Sequence, residues 1–329
     1  MQRLISEAND VSFAHVQGQV YDLQIFASGF ESRCTAISRR LGRAHGASTL
    51  VLGFGEHRDN PIRVAADQYY AQQLGQEPLI VPPNRPGAIA NLLEKQFVLG
   101  SEECRILIDI SSMSRSWYAD VINWAKFTSV VTRVRLDFCY VAGIYPDPYP
   151  PRAISEITSL FGFEGRSDMR LETVALLGLG YDAVTPHAVL EDLQPELTFG
   201  YIAGNADERS IIQALKLNSA TIEELDGPVA VVPLLSVERA YGMLSDMIAP
   251  HAGTRNIVLV SLGPKTHVLA GLLIAARNEE VTFLHVHGRS VSATDIRPTP
   301  EVAVCSVIFE PIESGFTLDY RIAEAAIAE

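Results

Sequence analysis

Ile106-Leu107-Ile108-Asp109-Ile110-Ser111-Ser112-Met113-Ser114-Arg115 is an apolar run that stops on three serines and an arginine. A short apolar run bounded by a turn reads as a strand buried on both faces, here over 105–110. Trp117, Tyr118, Val121 and Trp124 follow at helical spacing, which predicts an amphipathic helix over 115–127. Strand, polar turn and helix in that order form the repeating unit of a parallel α/β sheet.

The same rhythm extends in both directions. Upstream, strands are predicted over 21–27, 48–54 and 78–81, with helices over 33–44, 60–74 and 87–98, and a strand over 134–142 follows the central helix. Ile144–Arg152, IYPDPYPPR, then breaks the pattern, because proline fixes φ and lacks an amide donor. Downstream, strands are predicted over 173–177, 197–202, 229–233, 257–261 and 281–285, and helices over 186–192, 208–217, 237–248 and 267–277. Two more strands, 303–310 and 316–321, read as a hairpin on one edge of the second half. The expected fold is therefore α/β: two tandem Rossmann-like domains with mainly parallel sheets, the first over 1–152 and the second over 153–329.

The halves read as copies of one another. Gly29/Gly180, Phe30/Tyr181 and Glu31/Asp182 share one offset of 151 residues. Arg105–Arg115 and Asn256–His267 are each an apolar strand, a polar turn and a helix start. An internal duplication is expected on this basis.

In parallel α/β sheets, ligands bind beyond the carboxyl ends of strands, where the next helix offers unpaired amides and a positive dipole end. Asp109, Ser111, Ser112, Ser114 and Arg115 occupy one such end; the hydroxyls donate, and the guanidinium suits phosphate. One of Ser111 and Ser112 is also expected to cap the helix. The counterpart is Ser261-Leu262-Gly263-Pro264-Lys265-Thr266, which lacks the spacing of a nucleoside-triphosphatase loop. Ser28, Gly29 and Glu31 sit at the first strand end of one half, and Gly180 and Asp182 at that of the other. The candidate ligand set is thus Ser28, Gly29, Glu31, Asp109, Ser111, Ser112, Ser114, Arg115, Gly180, Asp182, Ser261, Gly263, Lys265 and Thr266. His57 and Arg58 lie on a third loop that could reach the same crevice.

Several classes are excluded at this level. The 329 residues hold 47% hydrophobic side chains, enough for two cores, but no apolar run approaches the roughly 20 residues that cross a bilayer. With no secretory layout at the N-terminus, a cytoplasmic location without membrane contact is expected. A net charge of −13 without a Lys/Arg-rich run disfavours duplex nucleic acid. Cys34, Cys104, Cys139 and Cys305 are too dispersed for a disulfide framework or zinc site, and read as packing residues. His267, His285 and His287 lack partners for a metal set. No cofactor and no complete catalytic motif is indicated.

Asp109-Ile110-Ser111-Ser112-Met113-Ser114-Arg115 resembles the [DN]-x-[ST]-x-x-x-[KR] motif of the CRISPR-associated Rossmann-fold (CARF) ligand sensors. Ser28-Gly29-Phe30-Glu31 stands where that family carries its first ligand loop. The Ser261–Lys265 turn departs from the motif in spacing. The resemblance implies two lobes paired about a two-fold axis, binding cyclic oligoadenylates or related nucleotides. It also implies a stand-alone sensor, regulatory subunit or ring nuclease-like phosphodiesterase in antiphage defence, because the Rossmann pattern consumes both halves. The expected partners are a small nucleotide-type ligand and a protein partner or a second copy of the chain. Two other readings stay open: an enzyme acting on a nucleotide or phosphosugar, by phosphodiesterase, glycosyl or phosphoribosyl chemistry, and a non-catalytic scaffold.

Overall fold

The computed structural model describes residues 2–42, 48–145, 152–204, 208–290 and 294–312. The first lobe runs through β1 (Arg3–Asp10), α1 (Phe13–Gln17), β2 (Leu23–Ser28), α2 (Ala36–Leu41), β3 (Ser48–Gly53), α3 (Pro61–Tyr69), β4 (Leu79–Ile80), α4 (Ala88–Glu94), β5 (Ser101–Asp109), α5 (Arg115–Phe127) and β6 (Val131–Ile144). The second runs through β7 (Arg152–Ser159), β8 (Thr173–Leu179), α6 (Val184–Leu193), β9 (Leu197–Gly204), α7 (Glu208–Leu217), α8 (Ser219–Glu223), β10 (Ala230–Pro233), α9 (Val237–Ile248), β11 (Asn256–Ser261), α10 (Lys265–Arg277) and β12 (Val281–Ser290). A last strand, β13 (Arg297–Pro311), follows.

The described strands form two sheets, β1-β13-β6-β5-β2-β3-β4 and β10-β9-β8-β11-β12-β7. Within each, five consecutive strands are parallel. Numbered along the chain, those five read 3-2-1-4-5 in both sheets, the doubly wound Rossmann-like order. Each sheet carries an antiparallel strand beside its fifth: β13 against β6, and β7 against β12.

Two expectations need correction. The strand expected at 303–310 exists, but it is not on the edge of the second sheet; it is inserted between β6 and β1 of the first. The reason is compositional. Ala303, Val304, Cys305, Val307, Ile308 and Phe309 are all buried, so the strand is apolar on both faces and needs neighbours on both sides. β1 carries little local signal, since Arg3–Asp10 alternates only weakly; it is held by pairing with β13 and by the buried Arg3, which donates to the carbonyls of Thr128, Val131 and Thr132. The strand predicted over 316–321 and most of the proline-rich stretch, 146–151, lie outside the described residues.

Local chemistry explains the helices that position the loops. Asn60 caps α3, accepting from the amides of Ile62 at 2.9 Å and Arg63 at 3.4 Å, and Pro61 occupies the first turn, where its missing amide costs nothing. α5 and α10 are buried around most of their circumference, as helices between two layers must be. They pack on one another, and one continuous apolar cluster joins β5, α5 and β6 to β11, α10 and β12. The lobes therefore share a core, and their strand ends hold a fixed relation.

Candidate functional site

Each sheet reverses its winding direction between its first and fourth strands, and the crevice beyond those strands is the usual ligand position. In the first lobe the reversal lies between β2 and β5, whose ends lead into Ser28–Glu31 and Ile110–Ser114. In the second it lies between β8 and β11, ending in Gly180–Asp182 and Ser261–Pro264. The strand order thus brings the two candidate turns of each lobe together.

The lobes also clasp each other through these turns. The Lys265 ammonium donates to the Ser111 carbonyl at 2.8 Å, and the Arg115 guanidinium donates to the Gly263 carbonyl at 3.1 Å. Each lobe sends the basic residue at the start of its central helix into the other lobe's turn. Burial pushes the Lys265 amine down to about 7, against the pull of the nearby Glu31 carboxylate. Burial pushes Asp109 up to about 6; one of its oxygens accepts from the Ser111 amide at 2.9 Å and the other has no hydrogen-bond partner.

The first-lobe crevice is filled by its own side chains. Glu31 accepts from Arg33 at 2.8 Å and from the Ser112 hydroxyl at 3.0 Å. Burial acts to raise the Glu31 carboxyl, but the charges of Arg33 and Lys265 outweigh it and hold it below the ordinary range. Arg33 also donates to the Val141 carbonyl. Arg63, likewise buried, is paired to Asp67 at 2.7 Å and donates to the Phe54 carbonyl, while Ser28 donates to Asp67. Phe54 stacks on Trp117 with ring centroids 4.5 Å apart.

The second lobe keeps an open volume at the corresponding place. A cavity of about 520 Å³ lies beyond β8, β9, β11 and β12, walled on the far side by the end of β6 and the start of β13. Arg115 and Arg209 line it, with Tyr140, Tyr145 and Tyr181, Ser210, Gln213 and the Gly263-Pro264 backbone. The rings of Tyr145 and Tyr181 lie 5.9 Å apart at 54°. Asp182, also on the wall, accepts from the Val184 and Thr185 amides and the Thr185 hydroxyl, so it holds the first turn of α6. Gly180 is needed for close packing: a Cβ there would lie 2.8 Å from the Leu262 carbonyl oxygen.

Of the candidate residues, Arg115, Gly180, Asp182 and Gly263 line the cavity. Ser28, Gly29, Glu31, Asp109, Ser111, Ser112 and Lys265 belong to the filled crevice and the clasp behind it. The Ser111 hydroxyl accepts from the Val141 amide. Ser114, rather than Ser111 or Ser112, takes the N-cap position of α5, and its hydroxyl meets Ser116 instead of a backbone amide. Ser261 and Thr266 are buried beneath the second turn. His57 packs its ring edgewise on Phe30 at 5.1 Å and is absent from the cavity wall, as is Arg58. Arg209, Ser210 and Gln213 escaped the sequence reading; the available signal was a polar stripe on α7 immediately after a strand end.

Compared with models of known protein families, the chain matches none, and comparison with curated proteins likewise finds no match. Among the described residues no three His, Cys, Asp or Glu side chains converge as a metal site would require. His267 is buried and held by the Pro233 carbonyl at 3.0 Å; burial pushes it down to about 4. All four cysteines are buried, and burial pushes Cys34 up to about 12, which removes it as a nucleophile near neutrality. No helix among the described residues is long and apolar enough to cross a membrane.

Proposed function

We propose that this chain is a nucleotide-binding regulatory protein that takes a phosphate-bearing ligand in the cavity beside the clasp. One observation carries the reading: the turn holding Arg115 and the turn holding Gly263 meet at one rim, next to a 520 Å³ volume lined by two guanidinium groups and three tyrosines. The size falls within the roughly 300–1,000 Å³ of ordinary small-molecule sites. Guanidinium groups complement phosphate, the first turn of α10 adds a positive dipole end, and tyrosine faces accept a stacked base. Together with the resemblance of the 109–115 turn to CARF sensors, this favours a sensor that acts through a partner protein in antiphage defence. Duplication of one ancestral lobe accounts for the shared strand order.

The test is calorimetry of the intact chain against mononucleotides, linear oligonucleotides and cyclic oligonucleotides. Binding by at least one class is expected, weakened about tenfold or more by Arg209→Ala, the effect of losing one charge-assisted contact. Absence of binding across the panel would sink the proposal.

A catalytic reading draws on a separate observation. Asp109 and Lys265 are both displaced towards neutrality at one buried cluster, as acid–base groups often are. Neither lines the cavity, so binding is the reading the geometry favours; release of a cleavage product from the same panel would reverse that preference.

A further inference from the structure

β13 leaves its ladder at one place. Pro298 pairs with Gly143 and Val302 with Val141, so Thr299, Pro300 and Glu301 stand opposite the single residue Ala142. Bulges re-aim side chains and recur beside binding sites. This one is pinned: Arg40 of α2 donates to the carbonyls of Thr299 and Pro300, each at 3.1 Å, and the Thr299 hydroxyl accepts from the Glu301 amide at 3.2 Å. Thr299, Glu301 and Ala142 all line the cavity. The bulge belongs to the aromatic side of that cavity, because Tyr140 lies on β6 and Tyr145 directly follows it. The buried Arg33 guanidinium lies 5.5 Å from the Tyr140 ring centroid and 5.8 Å from that of Tyr145, a cation–π contact that helps to hold both rings. Two carboxylates stand among the described wall residues, Asp182 and Glu301. Asp182 is taken up by the first turn of α6. Glu301 is exposed at the rim, and its carboxylate has no hydrogen-bond or ion-pair partner among the described residues.

We infer that Glu301 reads the edge of the ligand's base and that the ligand is a guanine nucleotide. This rests on the nucleotide reading above and adds the identity of the base. A carboxylate offers two acceptors side by side and no donor. Guanine carries N1–H and N2–H side by side, so both donate to one carboxylate as a bidentate, charge-assisted pair. Adenine and cytosine place a ring-nitrogen acceptor beside the amino group, and its lone pair would face the second carboxylate oxygen. Uracil has a single N–H between two carbonyls. With the base edge on Glu301 and its face against the tyrosines, the phosphates are left to Arg115 and Arg209.

Calorimetry of the full chain with guanosine, inosine, adenosine, cytidine and uridine 5′-diphosphates tests this. Guanosine diphosphate is expected to bind about tenfold tighter than the adenosine, cytidine and uridine forms, the discrimination of one bidentate base contact. Inosine diphosphate, which keeps N1–H but lacks the N2 amino group, is expected to fall between. Glu301→Gln replaces one acceptor with an amide donor, a pair that suits N6–H and N1 of adenine. This variant is expected to weaken guanosine diphosphate about tenfold and to move the preference towards adenosine diphosphate. A merely structural role for Glu301 would lower all five affinities together and keep their order. Tightest binding of an adenosine, cytidine or uridine probe by the parent, or a guanine preference that survives Glu301→Gln, would overturn the assignment while leaving nucleotide binding intact. If none of the five binds, the guanine assignment falls, and the nucleotide reading falls with it only when the linear and cyclic oligonucleotides fail as well.

Discussion

Asp109 is fully enclosed with one oxygen bonded to the Ser111 amide and the other without a partner, so its charge is stabilised less in the folded chain than in water. Its carboxyl sits at about 6 instead of 3.8, chiefly through burial. A folded value above the unfolded one means that the native state holds more protons between those limits. Stability contributed by this residue is therefore present below pH 4 and lost as pH rises through 6. Asp109→Asn escapes that loss: its stability relative to the parent should grow by about 2 kcal/mol between pH 4 and pH 6.5. Urea denaturation of both proteins across that interval measures it, and a difference that stays flat would show that burial does not govern this carboxyl. Lys265 has the opposite proton balance. Its amine is lowered to about 7 by burial, so its contribution to stability rises with pH above that point.

Among the elements, α5 does more than carry Arg115 to the clasp. Its buried Asp120 accepts from the amides of Gly87 at 3.1 Å and Ile89 at 3.2 Å, and so caps α4, whose own N-terminal residue is a glycine. One helix thus holds the start of its neighbour. Asp120→Ala leaves those amides buried and is expected to cost about 2 kcal/mol, with faster hydrogen exchange confined first to 87–92. Uniform exchange across the lobe would argue against a local cap. The bounds of α5 and α7 coincide with the expected 115–127 and 208–217, because apolar spacing and flanking turns define a helix locally. β13 is legible as a strand in the sequence, but its place between β6 and β1 is not, since the choice of partner strand is not a local property.

At the scale of the whole molecule, the lobes are not separable along the chain. β13 comes last among the described elements but fills a slot between β6 and β1, and α9 is held from the first lobe by Asp10, which accepts from the Val237 amide at 3.0 Å and from Ser236. A chain ending at residue 296 exposes the apolar edge of β6 and leaves β1 without a partner. The expected outcome is loss of first-lobe structure, read as a fall in far-UV circular dichroism and the loss of a single cooperative unfolding transition. A truncated chain that unfolds as the parent does would show that β13 is dispensable.

Residue order alone determined the alternation of strands and helices, the α/β class, and the strand ends where polar turns gather. Each of these follows from apolar periodicity and turn chemistry within about ten neighbouring residues. It also singled out Arg115, Gly180, Asp182 and Gly263, which reach the cavity because strand ends are where turns must be. Only the tertiary structure decided that Lys265 meets the Ser111 carbonyl 154 residues away, that Glu31 and Arg33 fill one crevice, and that Arg209 and Gln213 line the other. Those outcomes depend on how two shared-core lobes pack, and a side chain's partner across that interface is chosen by geometry that no local pattern encodes.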